Sequence, residues 1–234
     1  MHRAQLVVVL AGGAPVDQFV PARVADAVVR LAADSGLDLA ERLGLGVDRV
    51  IGDLDSVSPG ALRRAREAGT IVVEHPSDKD ETDLELTLGE AMAHVVADRG
   101  DEIVVLGGAG GRLDHLLANH AVLTSSRWQQ VKITAFIGTS RVDVIHGDST
   151  NTQRSLAGRP TGRVSLLAWH GPAAGVTTDG LRWPLDDATI HAGSAYGTSN
   201  QYLAELATVA VRRGTLTATT DGIDGTIESG TVIR

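Results

Sequence analysis

IVVLGGAGGRLDHLLANH, Ile103–His120, sets an unbroken β-branched run against a glycine-rich turn and then an apolar-periodic segment. A strand that runs through a tight turn into a helix is the unit from which α/β layers are assembled. Glycines in such a turn let backbone N–H groups approach an anion, and the helix N-terminus behind them favours negative charge. Arg112 stands where its guanidinium can fork onto a phosphate. The stretch is not a Walker A loop: the chain's lysines are Lys79 and Lys132, and neither follows a glycine. Nor is it G-x-G-x-x-G, because Leu113 occupies the final position. A tight turn with no ligand is the alternative reading.

Upstream lie QLVVVLA, VVRLAA, RVIG and TIVVE, and downstream KITAFIG, all continuous rather than alternating. Such runs mark strands buried on both faces of a parallel sheet. Helical patterns lie between several of them. Leu84, Leu88, Ala91 and Val95 share one face and predict a helix over Asp83–Arg99. Ser58 and Pro59 are an N-cap and first-turn proline for a helix over Ser58–Ala68, and another helix is predicted over Leu113–Ser126. The expected fold is α/β: a three-layer N-terminal domain over residues 1–147 with a mostly parallel sheet. At Gly147 the sequence turns polar and rich in glycine and proline (GDSTNTQRSLAGRPTG), which reads as a linker. Beyond it RVSLLAWHG, GVTTDGLRWPL, ATIHAG and ATVAVRRGTLTATT are short strands separated by turn signals such as HGP, TDG and RRG. Residues 148–234 are therefore expected to form a small all-β sandwich, with DGIDGTIESGTVIR as a last hairpin or a loose end.

Composition narrows the functional classes. The 234 residues carry a net charge of −8, which argues against a general nucleic-acid binder. The absence of cysteine excludes disulfides and thiolate metal sites. No stretch approaches the roughly 18 apolar residues of a membrane span. MHRAQLVVVLAGG lacks the longer apolar region and A-x-A site of a secretory signal, so a first β-strand is the better reading and a cytoplasmic location is expected. There is no G-x-S-x-G elbow and no H-E-x-x-H pair.

Two acidic segments carry the chemistry. GDLDS, Gly52–Ser56, delivers Asp53 and Asp55 at the end of a buried strand, where open α/β sheets bind ligands. Carboxylates there can hold Mg²⁺ and share it with substrate phosphates, although Asp and Ser can equally form a turn and cap. HPSDKDETDLELTL, His75–Leu88, gathers Asp78, Asp80, Glu81, Asp83 and Glu85. Thr82 and Glu85 have capping-box spacing, and first-turn acids complement the helix dipole. Capping does not account for Asp78 and Lys79. Five close carboxylates repel unless a cation offsets them, so the two segments together read as a metal site. His115, beside Asp114, can assist a phosphate or sit on the helix surface.

In order and spacing, AADSG (Ala32–Gly36), GDLDS, DKDETDLE (Asp78–Glu85), GGRLDH, GLRWPL (Gly180–Leu185) and GTSN (Gly197–Asn200) resemble the thiamine pyrophosphokinase family. The resemblance covers the chain to about Thr220. It implies an α/β nucleotide-binding domain, a thiamine-binding β-sandwich, and a homodimer with thiamine held between subunits. It implies transfer of diphosphate from ATP to the hydroxyethyl group of thiamine, giving thiamine diphosphate and AMP. Asp53, Asp55, Asp80 and Asp83 are the implied Mg²⁺ ligands, with Asp55, Asp83 and Arg112 as the catalytic set. Asp34, Asp53, Thr82, Arg112, Asp114 and His115 are placed at ATP, and Trp183, Ser199 and Asn200 at thiamine. A tryptophan over a thiazolium would be a cation–π contact, with packing in the sandwich core as the other reading of Trp183. Ser35 departs from the family, which usually has glycine there. A diphosphokinase for another alcohol, such as a hydroxymethyl-pterin, and a non-catalytic thiamine or nucleotide binder are the competing readings. The acidic cluster speaks against the binder, which needs fewer carboxylates beside phosphates.

Overall fold

The computed structural model describes residues 4–13, 20–110, 112–221, 227–228 and 231–232. The chain divides into two compact units, Met1–Val122 with Ala135–Gly138, and Leu123–Thr134 with Thr139–Arg234. The division falls ahead of the linker read at Gly147.

In the first unit, β1 (Leu6–Ala11), β2 (Val29–Ala33), β3 (Arg49–Gly52), β4 (Ile71–Glu74) and β5 (Glu102–Leu106) form a sheet of order β4-β3-β2-β1-β5. Every pair among them is parallel. The segment 135–138, the end of β6 (Lys132–Ile137), continues it, with Gly107 N–H donating to Phe136 O at 3.0 Å. β1 and β5 are almost wholly buried, as continuous β-branched runs require. Leu10, Ala32 and Val50 lie side by side across β1, β2 and β3. Leu10 packs with Leu39 and Ala40 of α1 (Gly36–Arg42), and Ala32 and Val50 with Ala61 and Ala65 of α2 (Pro59–Glu67). The opposite face meets α3 (Asp83–Met92), which buries Leu84, Leu88 and Ala91. The result is the expected three layers.

Helix starts follow the sequence more closely than helix ends. Ser58 Oγ accepts from Ala61 N–H at 3.4 Å and Pro59 opens α2, as its cap signals predict. The helix expected over Asp83–Arg99 stops at Met92. Val96 is extended, and its N–H goes to Asp101 Oδ2 at 2.8 Å instead of to an i−4 carbonyl. Asp101 also accepts from Gln5 N–H at 2.7 Å and pairs with Arg99, so one buried carboxylate ends the helical run. The helix expected over Leu113–Ser126, α4, closes at Leu123. Ser125 caps a short 3₁₀ turn, Ser126–Trp128, instead.

In the second unit the strands within residues 140–221 pair antiparallel among the described residues. β7 (Ser140–His146), β13 (Arg213–Asp221) and Val164–Trp169 of β9 (Arg163–Asp179) form one layer. β8 (Gln153–Ala157), β12 (Leu206–Ala210) and Thr177–Asp179 of β9 form the other. Two short strands, β10 (Ala188–Ile190) and β11 (Asn200–Gln201), also pair with β9. Ile145, Val164, Leu166 and Leu216 from one layer share a core with Leu156, Ala207 and Val209 from the other, the packing of a sandwich. At the far end β14 (Ile227–Glu228) and β15 (Thr231–Val232) pair as a small hairpin; the Asp-Gly turns read from sequence lie in part outside the described residues.

Two sequence readings are corrected in this unit. HGP does not end a strand: His170 (φ 59°) and Gly171 (φ 141°) bend β9, and the strand runs on to Asp179. The turn signal TDG within GVTTDGLRWPL falls where the sequence places it: β9 ends at Asp179 and the chain turns at Gly180. The supposed linker contains β8. Its inward positions include Arg154, which is buried and donates to Ile133 O at 3.2 Å and Val144 O at 3.2 Å. A buried arginine that satisfies backbone carbonyls reads from sequence as a solvated charge.

His146 ends β7 in the opposite layer, with Nδ1 at 3.0 Å from Thr215 Oγ1 and Nε2 buried without a partner among the described residues. Burial, with Arg154 and then His170 adding repulsion, holds its pKa down to about 4. The folded state keeps His146 neutral while the unfolded chain protonates near 6.5. Its contribution is therefore intact above pH 6.5 and is lost as pH falls towards 4, about 2 kcal/mol by pH 5. Unfolding free energies of the wild type and His146→Asn should converge by about that amount between pH 7 and pH 5. Parallel curves would contradict the assignment.

Candidate active site

A cleft of about 610 Å³ opens beyond the carboxyl ends of β1, β2, β3 and β5. Strand order reverses between β1 and β5, and open α/β sheets bind ligands at such a crevice. Its walls include Gly12, Asp34, Asp53, Asp55, Lys79, Thr82, Asp83, Gly108, Arg112, Asp114 and His115.

Local backbone geometry aims the carboxylates. Asp34 follows β2 in the left-handed region (φ 46°), with its N–H donating to Ile51 O at 2.9 Å. Leu54 (φ 63°) turns the chain between Asp53 and Asp55, so two residues that alternate in a strand reach one cleft. Non-glycine residues in that region cost about 1 kcal/mol each. Asp83 is the first residue of α3, and Thr82 Oγ1 accepts from Glu85 N–H at 3.2 Å as its cap. The capping role read for Thr82 and Glu85 thus orients Asp83.

Asp34, Asp53 and Asp83 each offer an oxygen within 4.8 Å of the others. Asp34 Oδ1 and Asp83 Oδ1 are buried with no hydrogen-bond partner among the described residues. Burial raises the Asp34 carboxyl above its usual range, and the charges of Asp83 and Asp55 add to this against the Ser35 N–H. Asp53 is held below the usual range by Ser77, with the Asp55 N–H and Lys79 assisting. Converging, mutually repelling, hard oxygen donors are the donor set that suits Mg²⁺. Asp55 lines the same cleft, with Oδ1 accepting from Ser56 Oγ at 2.8 Å. Asp80 is exposed and is not among the lining residues. Asp34, placed at nucleotide from sequence, is the third member of the cluster instead.

The glycine turn lies on the same cleft. Gly107, Gly108 and Gly110 all have positive φ, while Gly111 falls outside the described residues. Asn119 Nδ2 donates to Gly108 O at 3.0 Å, tying α4 to the turn. Neither Asn119 nor Ser77 carries a signal in the sequence. Arg112 forks onto Asp114, at 2.6 Å for the shorter bond, with both side chains largely exposed. Ser35 has an ordinary φ of −61°, so no glycine is needed there. Its Oγ fills space that a Cβ on Gly12 would enter at 2.0 Å, which shows how the departure is accommodated.

Trp183, Ser199 and Asn200 come together in the second unit. Asn200 is buried, accepts from Trp183 N–H at 3.1 Å and donates to Trp183 O at 2.7 Å. Trp183 itself is 53% exposed, which overturns core packing as its reading. Arg182 stands 5.0 Å from its ring centroid. Ser199 (φ 58°) donates its N–H to Ser165 Oγ at 3.0 Å and leaves its side chain exposed.

Gly52 separates two of the carboxylates. A Cβ there would stand 3.0 Å from Asp83 Oδ1 and 3.1 Å from Asp34 Cβ, at a φ of +151°. Gly52→Ala should lower stability by about 1–3 kcal/mol and weaken divalent-cation binding while far-ultraviolet circular dichroism stays native. Unchanged cation affinity would mean that the spacing of Asp34 and Asp83 does not matter.

Comparison with known proteins agrees with this layout. A family model described as thiamin pyrophosphokinase, catalytic domain, matches residues 21–135. A second, described as thiamin pyrophosphokinase, vitamin B1 binding domain, matches residues 155–216. Thiamine pyrophosphokinase 1 of Oryza sativa subsp. japonica is 30% identical over 203 residues, covering 85% of this chain and 72% of the relative. Thiamine pyrophosphokinase 1 of Arabidopsis thaliana is 29% identical over 213 residues, covering 82% and 78%. The crystal structure of thiamine pyrophosphokinase from Bacillus subtilis superimposes with a TM-score of 0.75 at 21% identity, over 94% of this chain and all of the other, a likeness of fold.

Proposed function

This chain belongs to the thiamine pyrophosphokinase family, and from that premise we propose that it transfers diphosphate from ATP to the hydroxyethyl group of thiamine, giving thiamine diphosphate and AMP. It is an ATP-dependent diphosphotransferase. The observation that carries the site assignment is the cluster of Asp34, Asp53 and Asp83 on one cleft with the glycine turn and Arg112.

The alcohol oxygen of thiamine attacks the β-phosphorus in line. The bond from that phosphorus to the bridging oxygen breaks, the bridging oxygen leaves with AMP, and the hydroxyl proton passes to a base. Asp34, Asp53 and Asp83, with Asp55 beside them, would hold Mg²⁺. When bound, Mg²⁺ supplies positive charge against the phosphate oxygens, which in phosphoryl transfer is a large share of the catalysis. The backbone of the glycine turn and the start of α4 receive the nucleotide phosphates, with Asp114 and His115 at their edge. Arg112 exchanges Asp114 for the phosphate chain, which offers the same bidentate geometry with more charge. Thr82 holds Asp83 in register by capping α3. Trp183, fixed through its backbone by Asn200, offers an exposed aromatic face to the cationic thiazolium, with Ser199 beside it. The first unit serves as the nucleotide- and Mg²⁺-binding domain and the second as the thiamine-binding domain. The enzyme acts as a homodimer in the cytoplasm, with thiamine held between subunits. No helix among the described residues is long and apolar enough to cross a membrane.

Purified protein with ATP, Mg²⁺ and thiamine should form AMP and thiamine diphosphate in equal amounts. Asp83→Asn should lower kcat at least about 100-fold with little change in melting temperature. Near-normal turnover of this variant at saturating Mg²⁺ would contradict the role of Asp83, and AMP formed only with another alcohol would contradict the substrate.

A further inference from the structure

Lys79 is a feature that neither helix capping nor the reaction has absorbed. Its Nζ lies 3.2 Å from Asp83 Oδ1 and 3.6 Å from Asp53 Oδ2. Its side chain is only 14% exposed. Asp83 Oδ1 still lacks an aligned hydrogen bond, so the contact is an ion pair by distance alone. The directed bond of the ammonium goes to Pro76 O at 3.1 Å. These two carboxylates are two of the three that converge on one point, and the third, Asp34, is buried with Oδ1 unpartnered among the described residues. A single positive charge thus stands against part of a cluster whose donors suit a doubly charged ion.

We propose that the Lys79 ammonium is the resident counter-ion of the carboxylate cluster in the metal-free protein, and that a divalent cation binds by displacing it. This rests on reading the cluster as the metal site. Three carboxylates within 4.8 Å repel strongly without a counter-charge, and an ammonium offsets part of that repulsion. A lysine that competes with the metal weakens binding of the bare ion. The three free donors of an ammonium can then turn to a phosphate once the cation has taken the carboxylates.

The test uses the full chain at pH 8 without nucleotide. Mn²⁺ binding is followed by electron paramagnetic resonance, and thermal unfolding is followed in EDTA and in Mn²⁺. Lys79→Met should bind Mn²⁺ on the order of tenfold more tightly than the wild type. Its Tm in EDTA should fall by about 3 °C, and saturating Mn²⁺ should restore it. Lys79→Arg, which keeps the charge, should track the wild type in both readouts. Equal or weaker Mn²⁺ binding by Lys79→Met, or an unchanged Tm in EDTA, overturns the counter-ion role. If Mn²⁺ binds neither protein, the metal reading of the cluster falls along with it.

Discussion

Three carboxylates brought within 4.8 Å of one another set the terms for the rest of the first unit. Left alone they would repel and take up protons, so everything around them works to hold them apart from relaxation. Left-handed residues at Asp34 and Leu54 fix two of the strand ends, and a capped helix start fixes the third. Gly52 is bare because a side chain there would press on Asp83. Stability is given up locally at a functional site, and the buried layers of β1 and β5 supply the rigidity that sustains it.

The parallel sheet was legible because its strands read as unbroken β-branched runs; β1 and β5 are buried as such runs imply, while the edge strand β4 is half-exposed and was legible by its pattern alone. Helix starts were legible because Ser58 and Thr82 are local signals. Helix ends were not, since α3 stops through Asp101, a residue beyond the helix that takes the N–H of Val96. β8 escaped notice for a related reason. Its inward face carries Arg154, whose partners are backbone carbonyls on other strands. Long-range polar satisfaction leaves no period in a sequence.

The site was legible in its parts more than in its assembly. Both acidic segments and the glycine-arginine turn reach one cleft, as their positions after strands suggest. Which carboxylates converge depended on backbone angles that composition does not disclose. Asp80 shares a segment with Asp83, yet it precedes the helix cap and is exposed. Asp34 arrives from another strand and completes the cluster. Trp183 shows the same limit in the second unit, where only its burial could separate a core residue from an exposed aromatic face.

The central claim is that Asp34, Asp53 and Asp83 form one cation site that serves phosphate chemistry. Crystals of the full chain grown with Mn²⁺ and a non-hydrolysable ATP analogue, measured for anomalous scattering at the manganese edge, test it most directly. The account predicts an anomalous peak within coordination distance of oxygens from all three aspartates and from the phosphate chain. A peak elsewhere, or nucleotide bound with these carboxylates still paired to Lys79, would contradict it.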